Sequence, residues 1–188
     1  RRQYLHHSRN KGKGEDYRYL AWRNEWGKWF ILRSYFQVFI LQGMFLYIIS
    51  LPVLFINKSE NSPLIWLDIL GLTIWCIGFY YEAVGDAQLF RFKKNPQNKG
   101  RLMQEGLWSN TRHPNYFGEA FFWVGLFVFG LAANGPSWPL VLGPIVMLGL
   151  FLGISIPMID KRMLASKPGY ADRMKTVPSF FPWYKKVI

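Results

Sequence analysis

Arg112-His113-Pro114-Asn115-Tyr116-Phe117-Gly118-Glu119 stands directly before an apolar run. An arginine, a histidine, an amide, a phenol and a carboxylate are gathered where that run begins. Pro114 suits the first helical position, because its missing N–H would have no partner there and its φ is already helical. A helix starting here aims free N–H groups and the positive end of its dipole at water. That setting favours anions such as phosphate. Asn115 and Glu119 are four apart and share one face, which Phe122 continues into the apolar run. Two readings stand side by side. In one the stretch is an anchor, with Arg112 and His113 on lipid headgroups and Tyr116 in an aromatic belt. In the other it is a functional site, because Glu119 is a carboxylate about one turn inside an apolar helix, where it is costly.

Outward from this stretch the apolar residues come in blocks long enough to cross a bilayer. The 188 residues are 51% hydrophobic and 19% aromatic, with 17 Gly and 11 Pro. Four spans are expected, at about Tyr35–Ile56, Leu64–Tyr81, Tyr116–Ala133 and Trp138–Met158. The second runs on through Glu82, Asp86 and Lys93, which share a stripe with Phe79 at helical spacing. Asp68, near its start, is read as interfacial and Cys76 as a packed thiol. Turns are expected at Asn57–Pro63, Asn95–Gly100, Asn134–Ser137 and Lys167–Tyr170. Before the first span, Trp22, Trp26, Trp29 and Phe30 recur at three-to-four spacing among basic residues, as in an interfacial helix. The fold class is therefore all-α, a polytopic membrane helix bundle with about four transmembrane helices and interfacial helices at both ends. It reads as a single membrane domain over 1–188: a lead-in at 1–33, the four spans within 34–158 and a tail at 159–188.

The formal charge of +12 suggests nucleic acid at first sight. Its layout argues for a membrane. Lysine and arginine number nine before the first span, one in the 57–63 loop, six in 91–112, none in 134–137 and seven in the tail. Alternation of this kind is what four spans with both termini in the cytoplasm require. The protein is expected in a bacterial inner membrane or the endoplasmic reticulum, with membrane lipids and an anionic cofactor as partners and no nucleic acid. The chain begins with Arg1, so spans upstream of it are an open expectation. Oligomeric state stays open too, because Gly143, Gly149 and Gly153 suit packing within or between chains.

In this topology the polar groups converge at one end of the bundle: Glu82 and Asp86 closing the second span, Asn115 and Glu119 opening the third, Arg162 and Tyr170 after the fourth. Lys93, Lys94 and Arg101 join them from the intervening loop. Cations and N–H groups suit phosphates, and carboxylates suit ribose hydroxyls or an adenine amine, so a nucleotide cofactor fits. No Gly-x-Gly-x-x-Gly, Walker or Gly-x-Ser-x-Gly sequence occurs. A metal site is not expected, since the three histidines are His6, His7 and His113.

The stretch from Arg112 to Glu119 resembles that of the membrane sterol and steroid reductases. The whole chain is similar to the bacterial-type membrane proteins grouped with the steroid 5α-reductase C-terminal domain. The resemblance also rests on Gly14-Glu15-Asp16-Tyr17-Arg18-Tyr19, Phe39-Ile40-Leu41-Gln42-Gly43, Gly85-Asp86-Ala87-Gln88-Leu89, Gly106-Leu107-Trp108, and Pro168-Gly169-Tyr170 before the closing Phe-Pro. It implies an all-helical membrane fold holding NADPH at its cytosolic side. Carried over residue by residue, it makes Asp86 and Lys93, Asn115 and Glu119, and Arg162 and Tyr170 cofactor contacts. Arg112, His113 and Tyr116 of the central stretch join them, and Asn10 and Lys13 match an earlier contact segment loosely. The family's substrate-polarising groups lie in helices upstream of this chain, so the catalytic acid is expected outside it.

The resemblance implies NADPH-dependent reduction of a C=C bond in a lipophilic substrate, whether steroid, sterol or isoprenoid-like. Isoprenylcysteine methyltransferases carry a similar Arg-His-Pro stretch, so an S-adenosylmethionine-dependent methyltransferase is an alternative. The paired glutamates of those enzymes are replaced here by Asp160-Lys161-Arg162. A non-catalytic lipid-binding protein with a reductase-like shell is a third reading.

Overall fold

The structure, a computed structural model, describes residues 17–59 and 63–183. The expectations resting on His6, His7, Asn10, Lys13 and Gly14-Glu15-Asp16, and on residues 60–62 of the first loop, lie outside the described residues. Among those described, the regular structure is helical, and four helices are long and apolar enough to cross a membrane. We number the helices α1 Tyr19–Ile49, α2 Leu51–Lys58, α3 Trp66–Lys94, α4 Leu107–Asn110, α5 Pro114–Asn134, α6 Trp138–Ser166 and α7 Tyr170–Thr176. Two compact units result, residues 1–45 and 46–188.

In the first unit an aromatic ladder climbs α1. Trp22 stacks on Trp26 at 5.3 Å, Trp26 meets Phe30 at 6.3 Å, and the Arg23 guanidinium lies 4.5 Å over the Phe30 ring. Contacts at this spacing link successive turns. Gly27, at φ +49°, sets the tryptophan-rich lead-in, which runs to Trp26, apart from the rest of the helical run, so a lead-in helix precedes the first span as expected.

The first span also ends earlier than hydropathy suggests, at Ile49 and not Ile56. Pro52 cannot donate to the Ile48 carbonyl. The chain turns at Ser50, whose hydroxyl donates to the Tyr47 carbonyl at 2.9 Å, and α2 begins afresh. The other three spans fall where expected, with α3 running on to Lys94 and α6 to Ser166. Asp68 has a local role, since its carboxylate accepts the Ile65 N–H at 2.8 Å and satisfies a free donor at the start of α3. Cys76 is exposed on α3 instead of packed.

Glycines set the centre of the second unit. Gly71, Gly78 and Gly85 recur every seven residues on α3, facing Gly118 and Gly125 on the antiparallel α5. A Cβ on Gly78 would fall 2.3 Å from the Phe122 nitrogen, and one on Gly125 2.7 Å from the Trp75 nitrogen. The two backbones therefore touch, as small residues permit in membrane helices. Gly143 on α6 packs within the chain, its Cβ position 2.9 Å from the Ile49 carbonyl, whereas Gly149 and Gly153 face open space. A wide π-helical turn at Phe151–Ser155 precedes Pro157 in α6. Without an N–H, Pro157 cannot donate to the Gly153 carbonyl, and the ladder re-forms with a different register.

Candidate cofactor site

Because α3, α5 and α6 alternate in direction, the end of α3, the start of α5 and the end of α6 come together. Between them, and bounded by the 95–103 loop and α7, lies a cavity of about 770 Å³. That size is typical of ligand pockets, ~300–1,000 Å³. Eight lysines and arginines line it, and no aspartate or glutamate does.

Local structure explains how the walls are held. Gly85-Asp86-Ala87-Gln88 and Gly106-Leu107-Trp108, far apart in sequence, meet at the end of α3. The Leu107 N–H donates to Gln88 Oε1 at 3.0 Å, and Trp108 Nε1–H to the Gly85 carbonyl at 2.9 Å. Gly106 has φ +59°, and a Cβ there would strike the Gln88 side chain. Thr111 is fully buried, its hydroxyl within 3.1 Å of the Ser179 and Phe180 carbonyls. It ties the segment before α5 to the tail, where Phe180 and Trp183 pack edge-on against the buried Phe117.

Helix α5 starts at Pro114, as the central stretch predicts. Asn115 Nδ2 donates to Asp86 Oδ1 at 3.2 Å, linking α5 to α3. Tyr116 stacks between the His113 ring at 5.6 Å and the Phe151 ring at 4.6 Å.

Asp160, near the end of α6, is the hub of the polar wall. Arg112 Nη2 donates to its Oδ2 at 2.6 Å. His113 Nε2 lies 3.0 Å from its Oδ1, and the Tyr170 hydroxyl donates to the same oxygen. A carboxylate only accepts, so the His113 hydrogen sits on Nε2. Arg112 Nη1 reaches the Val177 carbonyl at 2.8 Å, while Arg112 Nε is buried without a protein partner. Arg112, His113, Asp160 and Tyr170 are 6, 4, 7 and 4% exposed. Arg173, on α7, is also buried and donates to the Trp108 carbonyl. Burial, then the hydrogen bond to Asp160, pushes the Tyr170 phenol well above its ordinary pKa. Burial lowers that of Arg173.

Of the nine cofactor-contact residues named from sequence, Lys93, Arg112, His113, Asn115, Tyr116, Arg162 and Tyr170 line the cavity. Asp86 is joined to Asn115 just beside it, and Glu119 lies deeper along α5, outside the lining. The anchor reading fails for Arg112 and His113: both are buried on Asp160, not extended toward headgroups. Sequence reasoning missed Asp160 and took Trp108 and Arg173 as motif and charge alone. The signal for Asp160 was present, because a carboxylate in the last turns of an apolar run meets the same test that singled out Glu119. Among the described residues no three His, Cys, Asp or Glu side chains gather as a metal site.

The family model described as a protein of unknown function (DUF1295) matches residues 1–177. The chain belongs to the DUF1295 family. This is a steroid 5α-reductase-like family. An uncharacterized protein of Schizosaccharomyces pombe is 27% identical over 196 residues, 92% of this chain and 56% of the relative. A steroid 5-alpha-reductase DET2 of Gossypium hirsutum is 29% identical over 120 residues, 63% of this chain and 42% of the relative. A probable O-methyltransferase, ustE, of Ustilaginoidea virens is 33% identical over 91 residues, 48% of this chain and 31% of the relative. The matched regions thus span about a third to a little over half of these relatives' lengths. No solved structure matches the DUF1295 chain.

Proposed function

We propose that this membrane protein is an NADPH-dependent oxidoreductase that reduces a C=C bond of a lipophilic, steroid-, sterol- or isoprenoid-like substrate. The observation carrying the reading is the cavity lined by eight cations and no carboxylate. NADPH is a polyanion, with a pyrophosphate and a 2′-phosphate, so it suits such a lining. S-adenosylmethionine carries a sulfonium cation and suits it poorly. The match to an O-methyltransferase keeps that second reading as the one to test against. The cytoplasmic placement of this end of the bundle is part of the proposal, drawn from the loop charges.

The residues present fit the cofactor. Arg112 Nε is a buried donor with no protein partner, and Tyr116, held between two rings, lines the wall. Lys93 and Arg162 would hold phosphates. Asn115 and Tyr170 would take its hydroxyl and amide groups from the lining, with Asp86 orienting Asn115 from beside it. Bound NADPH supplies a hydride to a polarised double bond. The chain's own part is to bind and orient that carrier at the ends of its spans, where a lipid-borne substrate can reach it from the bilayer.

The test is a titration of the purified full chain in nanodiscs with NADPH and with S-adenosylmethionine. NADPH should bind and S-adenosylmethionine should not. The Lys93→Ala, Arg162→Ala double variant should bind NADPH ~10- to 100-fold more weakly, as loss of charged hydrogen bonds implies. Unchanged affinity in that variant removes the assignment, and binding of S-adenosylmethionine alone moves the protein to the methyltransferase reading.

A further inference from the structure

We infer that Asp160 is the positioning residue of the cofactor site. It holds Arg112, His113 and Tyr170 as one rigid wall of the cavity and does so from outside the lining. This rests on the cavity being a polyanion site, as proposed above.

The geometry behind it is a single carboxylate joining three elements. Arg112 and His113 precede α5, Asp160 belongs to α6, and Tyr170 opens α7. All three partners line the cavity, whereas Asp160 does not. Each oxygen is committed: Oδ2 to Arg112, Oδ1 to His113 and Tyr170. The carboxylate therefore fixes the guanidinium plane, the imidazole tautomer and the phenol direction together. Arg112 extends the tie along α7, because its Nη1 donates to the Val177 carbonyl at 2.8 Å near that helix's end. His113 extends it into α5. It is the residue capping that helix, its carbonyl accepts the Phe117 N–H at 3.1 Å, and its ring stacks on Tyr116. Asn115 and Tyr116 are thus set one bond further out.

A carboxylate among eight cations is electrostatically adverse to an anionic ligand. Its presence behind the wall is explained by what it holds in place. This yields a test of sign. On charge alone, Asp160→Asn should tighten NADPH binding; the positioning role demands that it weaken binding. We expect a loss of at least ~10-fold in affinity for the full chain in nanodiscs, with Asp160→Glu staying within ~3-fold of native.

A second readout needs no cofactor. With His6 and His7 replaced by glutamine, His113 is the one remaining imidazole. Its Nε2–H should give a slowly exchanging signal in ¹⁵N-histidine spectra, retained in Asp160→Glu and lost in Asp160→Asn. NADPH binding in Asp160→Asn that is unchanged or tighter overturns the proposal, as does a ring signal indifferent to Asp160. Should Asp160→Asn fail to fold, Asp160→Glu decides: native affinity together with a lost ring signal overturns it. A native chain that ignores NADPH sinks the cofactor reading instead, and the ring signal alone then judges the tie, upheld by its loss in Asp160→Asn and refuted by its persistence.

Discussion

Gly78 and Gly118 meet backbone to backbone. A Cβ on Gly78 would lie 2.7 Å from the Gly118 carbonyl, and one on Gly118 would lie 2.6 Å from the Gly78 carbonyl. This reciprocal approach brings α3 and α5 together, and the Asp86–Asn115 bond lies two turns further along the same seam.

Alanine at Gly78 should therefore force the helices apart. We expect a loss of about 1–3 kcal/mol, the usual cost of overpacking, seen as a lower thermal midpoint in nanodiscs. Gly149→Ala is the paired control. Nothing lies within 4 Å of its Cβ position, so stability should hold or rise slightly through helix propensity.

The Asp86–Asn115 bond, at 3.2 Å, invites a swap. Asn115→Asp alone sets two carboxylates face to face and should weaken NADPH binding severalfold. Adding Asp86→Asn exchanges donor and acceptor and should recover most of the loss. An additive double variant would show that the two side chains act independently.

Tyr170 gives a pH dependence with a definite sign. Its phenol is buried and donates to Asp160, so the folded pKa lies above the unfolded value of about 10. The contribution is complete below pH ~10, and above it the unfolded chain releases the proton first, so stability falls as pH rises toward the folded pKa. Tyr170→Phe should lack this part of the decline. Parallel alkaline denaturation curves for the two proteins would contradict it.

Arg112→Met removes the guanidinium from a buried carboxylate. Breaking one side of such a pair costs about 3–5 kcal/mol. The effect should appear as a lower denaturation midpoint, and pairing it with Asp160→Asn should cost less than the two single losses together.

Hydropathy carried most of the architecture, because crossing a bilayer imposes run lengths that a single sequence displays openly. Pro114 announced the start of α5 for an equally local reason. The first span was overrun at its end: hydropathy carries on to Ile56, and the stop came from one proline, Pro52. The seven-residue glycine period was visible at Gly71, Gly78 and Gly85 but means little until its partner helix is known. The cavity residues could be listed because charge and motif mark them. The hub could not be ranked, since Asp160 gains its importance from Arg112, His113 and Tyr170, which lie 48, 47 and 10 residues away along the chain.

One further property follows from the outward-facing thiol on α3. The chain has a single cysteine, and Cys76 stands clear of the glycine seam on that helix. A nitroxide or environment-sensitive dye can thus be attached in one step, with no prior removal of other thiols. Its accessibility to oxygen and to a water-borne quencher would then measure how deep the middle of α3 sits in the bilayer.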